Sequence, residues 1–94
     1  MATVMVMNWP GITTEHYEAV RRETNFEGAA PKGGKYHVAW ATKDGMHVVD
    51  VWESQAAFEQ FLQTRLMPAV EKLKIPGQPS VEFFPAYNTF APNP

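Results

Sequence analysis

Tyr36-His37-Val38-Ala39-Trp40-Ala41-Thr42-Lys43-Asp44-Gly45-Met46-His47-Val48-Val49-Asp50-Val51-Trp52-Glu53-Ser54 decides the fold. Two strand-forming runs, Tyr36 to Thr42 and Met46 to Glu53, flank Lys43-Asp44-Gly45. Asp-Gly at the centre of a two-residue turn tolerates positive φ at both positions, so the stretch reads as a β-hairpin. Ser54 then reads as a helix N-cap, with Ala57 at the third helical position. Phe58, Phe61, Leu62, Leu66, Val70 and Leu73 recur behind it at helical spacing. Pro68 interrupts that stripe and predicts a kink or a break into a second short helix.

Upstream, Thr3-Val4-Met5-Val6-Met7-Asn8 is a strand that Trp9-Pro10-Gly11 is expected to end. Thr13 reads as an N-cap with Glu15 in the first turn, opening a helix from Thr14 to about Thr24. Tyr17, Ala19 and Val20 form its thin apolar stripe, and Glu18, Arg21, Arg22 and Glu23 much of its polar face. Asn25 to Lys35, with Gly28, Pro31, Gly33 and Gly34, reads as a loop long enough to serve as a lid. Downstream, Ile75-Pro76-Gly77-Gln78-Pro79 is a turn. Val81 to Tyr87 is the last strand, and Pro85 makes it an edge strand or a bulged one. Asn88 to Pro94 is a Pro-rich tail. The order β-α-β-β-α-β predicts a ferredoxin-like α+β fold, a four-stranded antiparallel sheet with both helices on one face.

The 94 residues, read as a single domain over 1–94, are 45% hydrophobic, 13% aromatic and 19% charged. That composition is globular rather than disordered. The net charge of −2 and the scattered Lys and Arg give no footprint for nucleic acid. With no cysteine, thiolate metal sites, iron–sulfur clusters and cysteine nucleophiles drop out. Met1 to Asn8 lacks the basic flank and length of a signal peptide, and no run is long enough to span a bilayer. A cytoplasmic protein without membrane or nucleic-acid partners is therefore expected.

The strands are apolar on both sides. Val4 and Val6 oppose Met5 and Met7; Val49 and Val51 oppose Val48 and Trp52; Val81 and Phe83 oppose Phe84. Two helices cover one face of a sheet, so the other must bury against something, and a second copy is the simplest partner. A homodimer is expected.

Asp50-Val51-Trp52-Glu53-Ser54, then Phe58 and Phe61, then Leu66-Met67-Pro68-Ala69, resemble the dimeric α/β-barrel superfamily, particularly its small antibiotic-biosynthesis-monooxygenase-like proteins. The resemblance covers nearly the whole chain. It implies a homodimer whose two sheets face each other as a barrel. It also implies cofactor-independent oxygenation of a small flat molecule, phenolic or polyketide-like. Non-catalytic ligand-binding or stress-response dimers share the fold and stand as the alternative. The heme-degrading branch is disfavoured: Asn8 fits its strand-one Asn, but Phe61 stands where a helix-two Trp is wanted and that helix has no His.

A two-residue Asp-Gly loop pairs Lys43 with Met46, His37 with Trp52 and Ala39 with Asp50. One face then carries His37, Ala39, Ala41, Val48, Asp50 and Trp52. The other carries Tyr36, Val38, Trp40, Thr42, His47, Val49, Val51 and Glu53. A four-residue loop keeps these faces, whereas a three-residue loop swaps one strand. The bulkier second set is expected under the helices, and the first set toward a ligand or the partner. His37 and Asp50 are the candidate catalytic pair, a base and the carboxylate that orients it, with Trp52 positioned to stack on a flat substrate. The competing reading makes the same three residues a polar cluster buried between two copies. Asn8, Trp40, His47 and Tyr87 are secondary candidates for substrate contact. Trp40 and His47 would lie in a pocket between sheet and helices, or serve as a core Trp beside a half-exposed His. His16 reads as a solvated or capping residue. His37 and His47 fall on opposite faces, so no metal site is expected, nor any other cofactor.

Overall fold

The computed structural model describes residues 2–92; Met1, Asn93 and Pro94 at the ends of the predicted domain and tail lie outside them. The chain forms β1 (Thr3–Pro10), α1 (Thr14–Thr24), β2 (Gly34–Thr42), β3 (Gly45–Trp52), α2 (Gln55–Phe61), a π-helical turn (Leu62–Leu66), α3 (Met67–Leu73) and β4 (Ser80–Pro85). The strands make one antiparallel sheet in the order β2-β3-β1-β4, the ferredoxin-like arrangement expected from the element order. No helix among the described residues is long and apolar enough to cross a membrane.

Helix starts follow their caps. The Thr13 hydroxyl accepts from the His16 N–H, and His16 Nδ1 accepts from the Thr13 N–H, a reciprocal box in which histidine takes the usual glutamate's place. His16 is thus a capping residue. Ser54 Oγ accepts from the Ala57 N–H. Around Pro68 the helix breaks as expected: α2 ends at Phe61, a π-helical turn spans Leu62–Leu66, and the short α3 opens at Met67 with Pro68 in its first turn. The Met67 N–H donates to the carbonyl of Leu62, five residues back. In a regular α-helix the Pro68 ring would press on the carbonyl four residues earlier, and a π-turn relieves that contact.

β1 runs through Trp9-Pro10 instead of ending before it. Pro10 pairs with Gly45 at the end of the ladder, where a missing donor costs little. β4 is an edge strand that ends at Pro85, and Tyr87 lies beyond it, fully exposed.

Met5, Met7, Trp9, Ile12, Met46, Val48, Trp52 and Phe58 form the buried core between the sheet and the helices. Trp9 ties this core to the turn after α3, donating its Nε1–H to the carbonyl of Pro76 at 2.9 Å. Trp9→Phe removes the N–H donor together with part of the buried ring. It is expected to cost about 2 kcal/mol or more in a urea titration; an unchanged midpoint would show that neither the bond nor the indole packing contributes.

Two sequence expectations change here. Thr42 pairs with Gly45, so the turn residues are Lys43 and Asp44, and His37 faces Asp50 rather than Trp52. Positive φ in this turn falls on Gly45 alone, at 150°. The pairing moves by an even number of positions, so the two sets of side chains stay together. Their destinations exchange. His37, Ala39, Val48, Asp50 and Trp52 lie on the helix-covered face with Met5, Met7 and Trp9. Tyr36, Val38, Trp40, Thr42, His47, Val49 and Val51 lie on the open one. The bulkier set of side chains is thus on the open face and not under the helices. The helix-covered face carries the smaller set and encloses a cavity, lined from β2 by Gly34 to His37.

Candidate active site

The cavity, about 230 Å³, lies between the helices and the β2-β3-β1 half of the sheet. Met5, Met7 and Val48 contribute to its floor, Phe58, Phe61 and Leu66 to the helical wall, and Phe26, Ala30 and Pro31 of the connecting loop close one side. Two bonds within that loop and one to Glu53 hold it in place. The Ala29 N–H donates to the Asn25 carbonyl, the Gly34 N–H to the Pro31 carbonyl, and the Glu53 N–H to the Gly33 carbonyl at 2.7 Å. Gly33 has φ 84°, and a Cβ there would lie 2.7 Å from the Ala57 Cβ, so the loop seats directly on α2.

One chain of polar side chains runs through this apolar wall. The Trp52 Nε1–H donates to Asp50 Oδ2 at 3.0 Å. Asp50 Oδ1 lies 2.7 Å from His37 Nδ1. His37 Nε2 lies 2.6 Å from the Tyr17 hydroxyl. All four residues line the cavity. Neighbouring positions of the register account for the geometry: His37 sits directly across from Asp50, and Trp52 is two residues further on the same face of β3. Tyr17 reaches them from the inward side of α1, and Phe26 meets the His37 ring edge-on at 5.0 Å between centroids.

The proton positions follow from the donors and acceptors. An ionised carboxylate only accepts, so Asp50 assigns the hydrogen of its His37 contact to Nδ1. His37 Nε2 then carries the lone pair, and the Tyr17 O–H donates to it. Asp50 is buried at 6% exposure, yet both its oxygens are matched with donors. The His37 side chain keeps 32% of its surface. Burial, aided by the carboxylates of Glu27, Glu18 and Asp50 and opposed by Arg21, pushes the Tyr17 phenol above its ordinary value of 10.0. Tyr17 therefore holds its proton throughout the neutral range. An imidazole oriented by a buried carboxylate, in the wall of an apolar cavity, has the components of a general base.

The secondary candidates are elsewhere. Asn8, Trp40 and His47 form a separate cluster on the open face, not between sheet and helices. His47 Nδ1 lies 2.6 Å from Asn8 Oδ1 and Nε2 2.8 Å from Thr42 Oγ1, and the Trp40 ring stacks on the imidazole at 5.3 Å. Tyr87 is outside the cavity. Trp52 lines the cavity but is 4% exposed and packed by Phe58 and Phe61, so little ring face remains for stacking. The His37–Asp50–Trp52 cluster is bonded within one chain under the helices, which removes the reading that pairs it across the open face of two copies. Among the described residues no group of three or more His, Asp or Glu side chains is gathered as a metal site.

Sequence reasoning missed Tyr17 and Phe26. Tyr17 counted there as one member of an apolar helical stripe, and its hydroxyl partner twenty residues away had no local signal.

Solved structures share this architecture. SnoaB, a cofactor-independent oxygenase from Streptomyces nogalater, superposes with a TM-score of 0.68 at 22% identity, over 98% of each chain. A protein of unknown function from Nitrosomonas europaea superposes at 0.69 with 14% identity, over 99% of this chain and 95% of that one. The monooxygenase ActVA-Orf6 of Streptomyces coelicolor, in complex with nanaomycin D, superposes at 0.50 with 19% identity, over 98% and 92%. The chain has the fold of SnoaB. No protein-family model and no curated protein sequence matches the chain. The fold is thus recognised through its backbone, at identities that carry no residue roles across.

Proposed function

We propose that the protein is a cofactor-independent oxygenase acting on a small, flat phenolic or polyketide-like molecule. The observation that carries this reading is the 2.7 Å contact of His37 Nδ1 with the buried Asp50 carboxylate in the wall of an apolar cavity. His37 is the base and Asp50 its orienter. Removal of the phenolic proton turns the ring into an electron-rich anion, which gives electrons to dioxygen. In the overall reaction a phenol and O2 become a quinone and H2O: the ring loses two hydrogens, and one oxygen atom enters it as the other leaves as water. The oxygenases among the structural neighbours, one of them in complex with nanaomycin D, support the reading at the level of fold.

The test is dioxygen uptake with a panel of hydroxynaphthalenes and hydroxyanthrones, with no flavin or metal added. Wild-type uptake that His37→Gln abolishes is expected. Binding of these compounds without uptake would overturn the oxygenase and leave a non-catalytic ligand-binding protein.

The open face is assigned to a second copy of the chain. Tyr36, Val38, Trp40 and Phe84 are each about half exposed there, and Val4, Val6, Val49 and Val51 lie between them. An apolar sheet face with so little charge is suited to a self-complementary contact of about 800 Å² per partner. Native mass spectrometry is expected to give twice 10.6 kDa, and Val38→Glu, on the exposed edge strand of the patch, to give monomer. A wild-type monomer would refute the assignment.

A further inference from the structure

The hydrogen-bonding capacity of the polar chain is nearly used up. Both Asp50 oxygens and the Trp52 N–H are matched. His37 is bonded at both ring nitrogens, by Asp50 at Nδ1 and by Tyr17 at Nε2. The base of the proposed reaction therefore offers no free lone pair to a ligand. Tyr17 spends its hydrogen on His37, and its oxygen makes no other hydrogen bond among the described residues. A phenolic oxygen that donates can also accept. Asp50, 6% exposed, turns its two oxygens to His37 and Trp52, which leaves the Tyr17 oxygen as the side-chain acceptor of this polar chain placed to meet a ligand's O–H.

We propose that Tyr17 is the catalytic residue that touches the substrate, relaying its proton to His37 and restricting the site to ligands that carry a hydrogen-bond donor. The inference rests on the oxygenase reading and names the contact within it. In the step the substrate O–H bond breaks as a new O–H bond forms on Tyr17. At the same time the original Tyr17 O–H bond breaks and an N–H bond forms at His37 Nε2. The products are the substrate anion, a neutral Tyr17 and an imidazolium beside Asp50. No tyrosinate accumulates. Charge moves from the ligand to a cation already paired with a buried carboxylate, so the polar chain need not reorganise. The same contact sorts substrate from product: a phenol donates to the Tyr17 oxygen, whereas a quinone carbonyl has no hydrogen to give.

The probe is 4-nitrophenol, a flat phenol whose anion is yellow and whose neutral form is colourless, with 4-nitroanisole as the methyl ether that cannot donate. Tyr17→Phe keeps the ring and its contacts; near-ultraviolet circular dichroism checks the fold. Wild-type protein is expected to ionise bound 4-nitrophenol about one pH unit below the free compound, a tenfold excess of anion. It should also prefer the phenol to the ether by about tenfold. Tyr17→Phe and His37→Gln should each abolish the excess of anion, and the double variant should lose no more than either, because the two groups act in series. Tyr17→Phe should also erase the preference over the ether.

If Tyr17→Phe retains the excess while His37→Gln loses it, the ligand meets His37 directly and the relay is wrong, although the base assignment stands. Should both single variants retain it, the chain carries no proton and both assignments fall. A wild-type protein that binds neither probe would refute the phenol site itself, and the inference with it.

Discussion

Asp50→Asn is expected to lower kcat/KM for dioxygen uptake by about 10²–10⁴-fold while leaving the fold in place. Two donors now meet the two Asp50 oxygens, Trp52 Nε1–H and His37 Nδ1–H. An asparagine supplies one oxygen. The indole can only donate, so the amide oxygen must face Trp52 and the NH2 group must face His37. The imidazole then accepts at Nδ1 and carries its hydrogen on Nε2, the nitrogen that should receive the proton. A base in the wrong tautomer is a known route to losses of this size. Nitrogen-15 chemical shifts of the His37 ring report the tautomer whether or not turnover is seen. A variant with reversed tautomer and undiminished turnover would remove His37 from the reaction. A variant with the wild-type tautomer would refute the donor assignment.

Gly45→Ala is expected to destabilise the protein by about 3 kcal/mol. A Cβ at this position would fall on the Trp9 carbonyl oxygen and lie 2.9 Å from both Gly11 N and Pro10 Cα, all of them backbone atoms. The φ of 150° adds a conformation that side chains rarely adopt. Relief would require the hairpin tip to leave the end of β1, losing the 2.8 Å bond from the Gly11 N–H to the Asp44 carbonyl and shifting Trp9 at the edge of the cavity. A urea midpoint that changes by less than about 1 kcal/mol would show that the strand end yields freely.

The same glycine shows what the sequence can and cannot convey. Asp44-Gly45 announces a hairpin correctly, but the glycine is there for strand-to-strand approach rather than for the centre of the turn. Local signals were legible wherever one residue sets its own neighbourhood. Thr13 and Ser54 start the helices, Pro68 disturbs the second one, and Pro85 ends an edge strand. The pairing of His37 with Asp50 was within reach, because both lie on one hairpin. Which sheet face the helices cover was not. Both faces are apolar, and side-chain volume misleads when the covered face encloses a cavity. Tyr17 and Phe26 enter the site through tertiary contacts of α1 and its loop with β2, and no spacing in the chain encodes them. Asn8, Trp40 and His47 have the chemistry of a site, but the alternation of strands places them on the opposite surface.

The strand order has a consequence for synthesis. β1 sits inside the sheet, between β3 and β4, yet it precedes both in the chain. While the ribosome is still adding the second helical segment, the β1-β3-β2 ladder can close, but the other edge of β1 has no neighbour. Val4 and Val6 would sit on that unpaired edge until residues 80–85 emerge and β4 docks. A nascent chain stalled after α3 should thus be the species most exposed to edge-to-edge association. The last strand to be made is the one that seals the first.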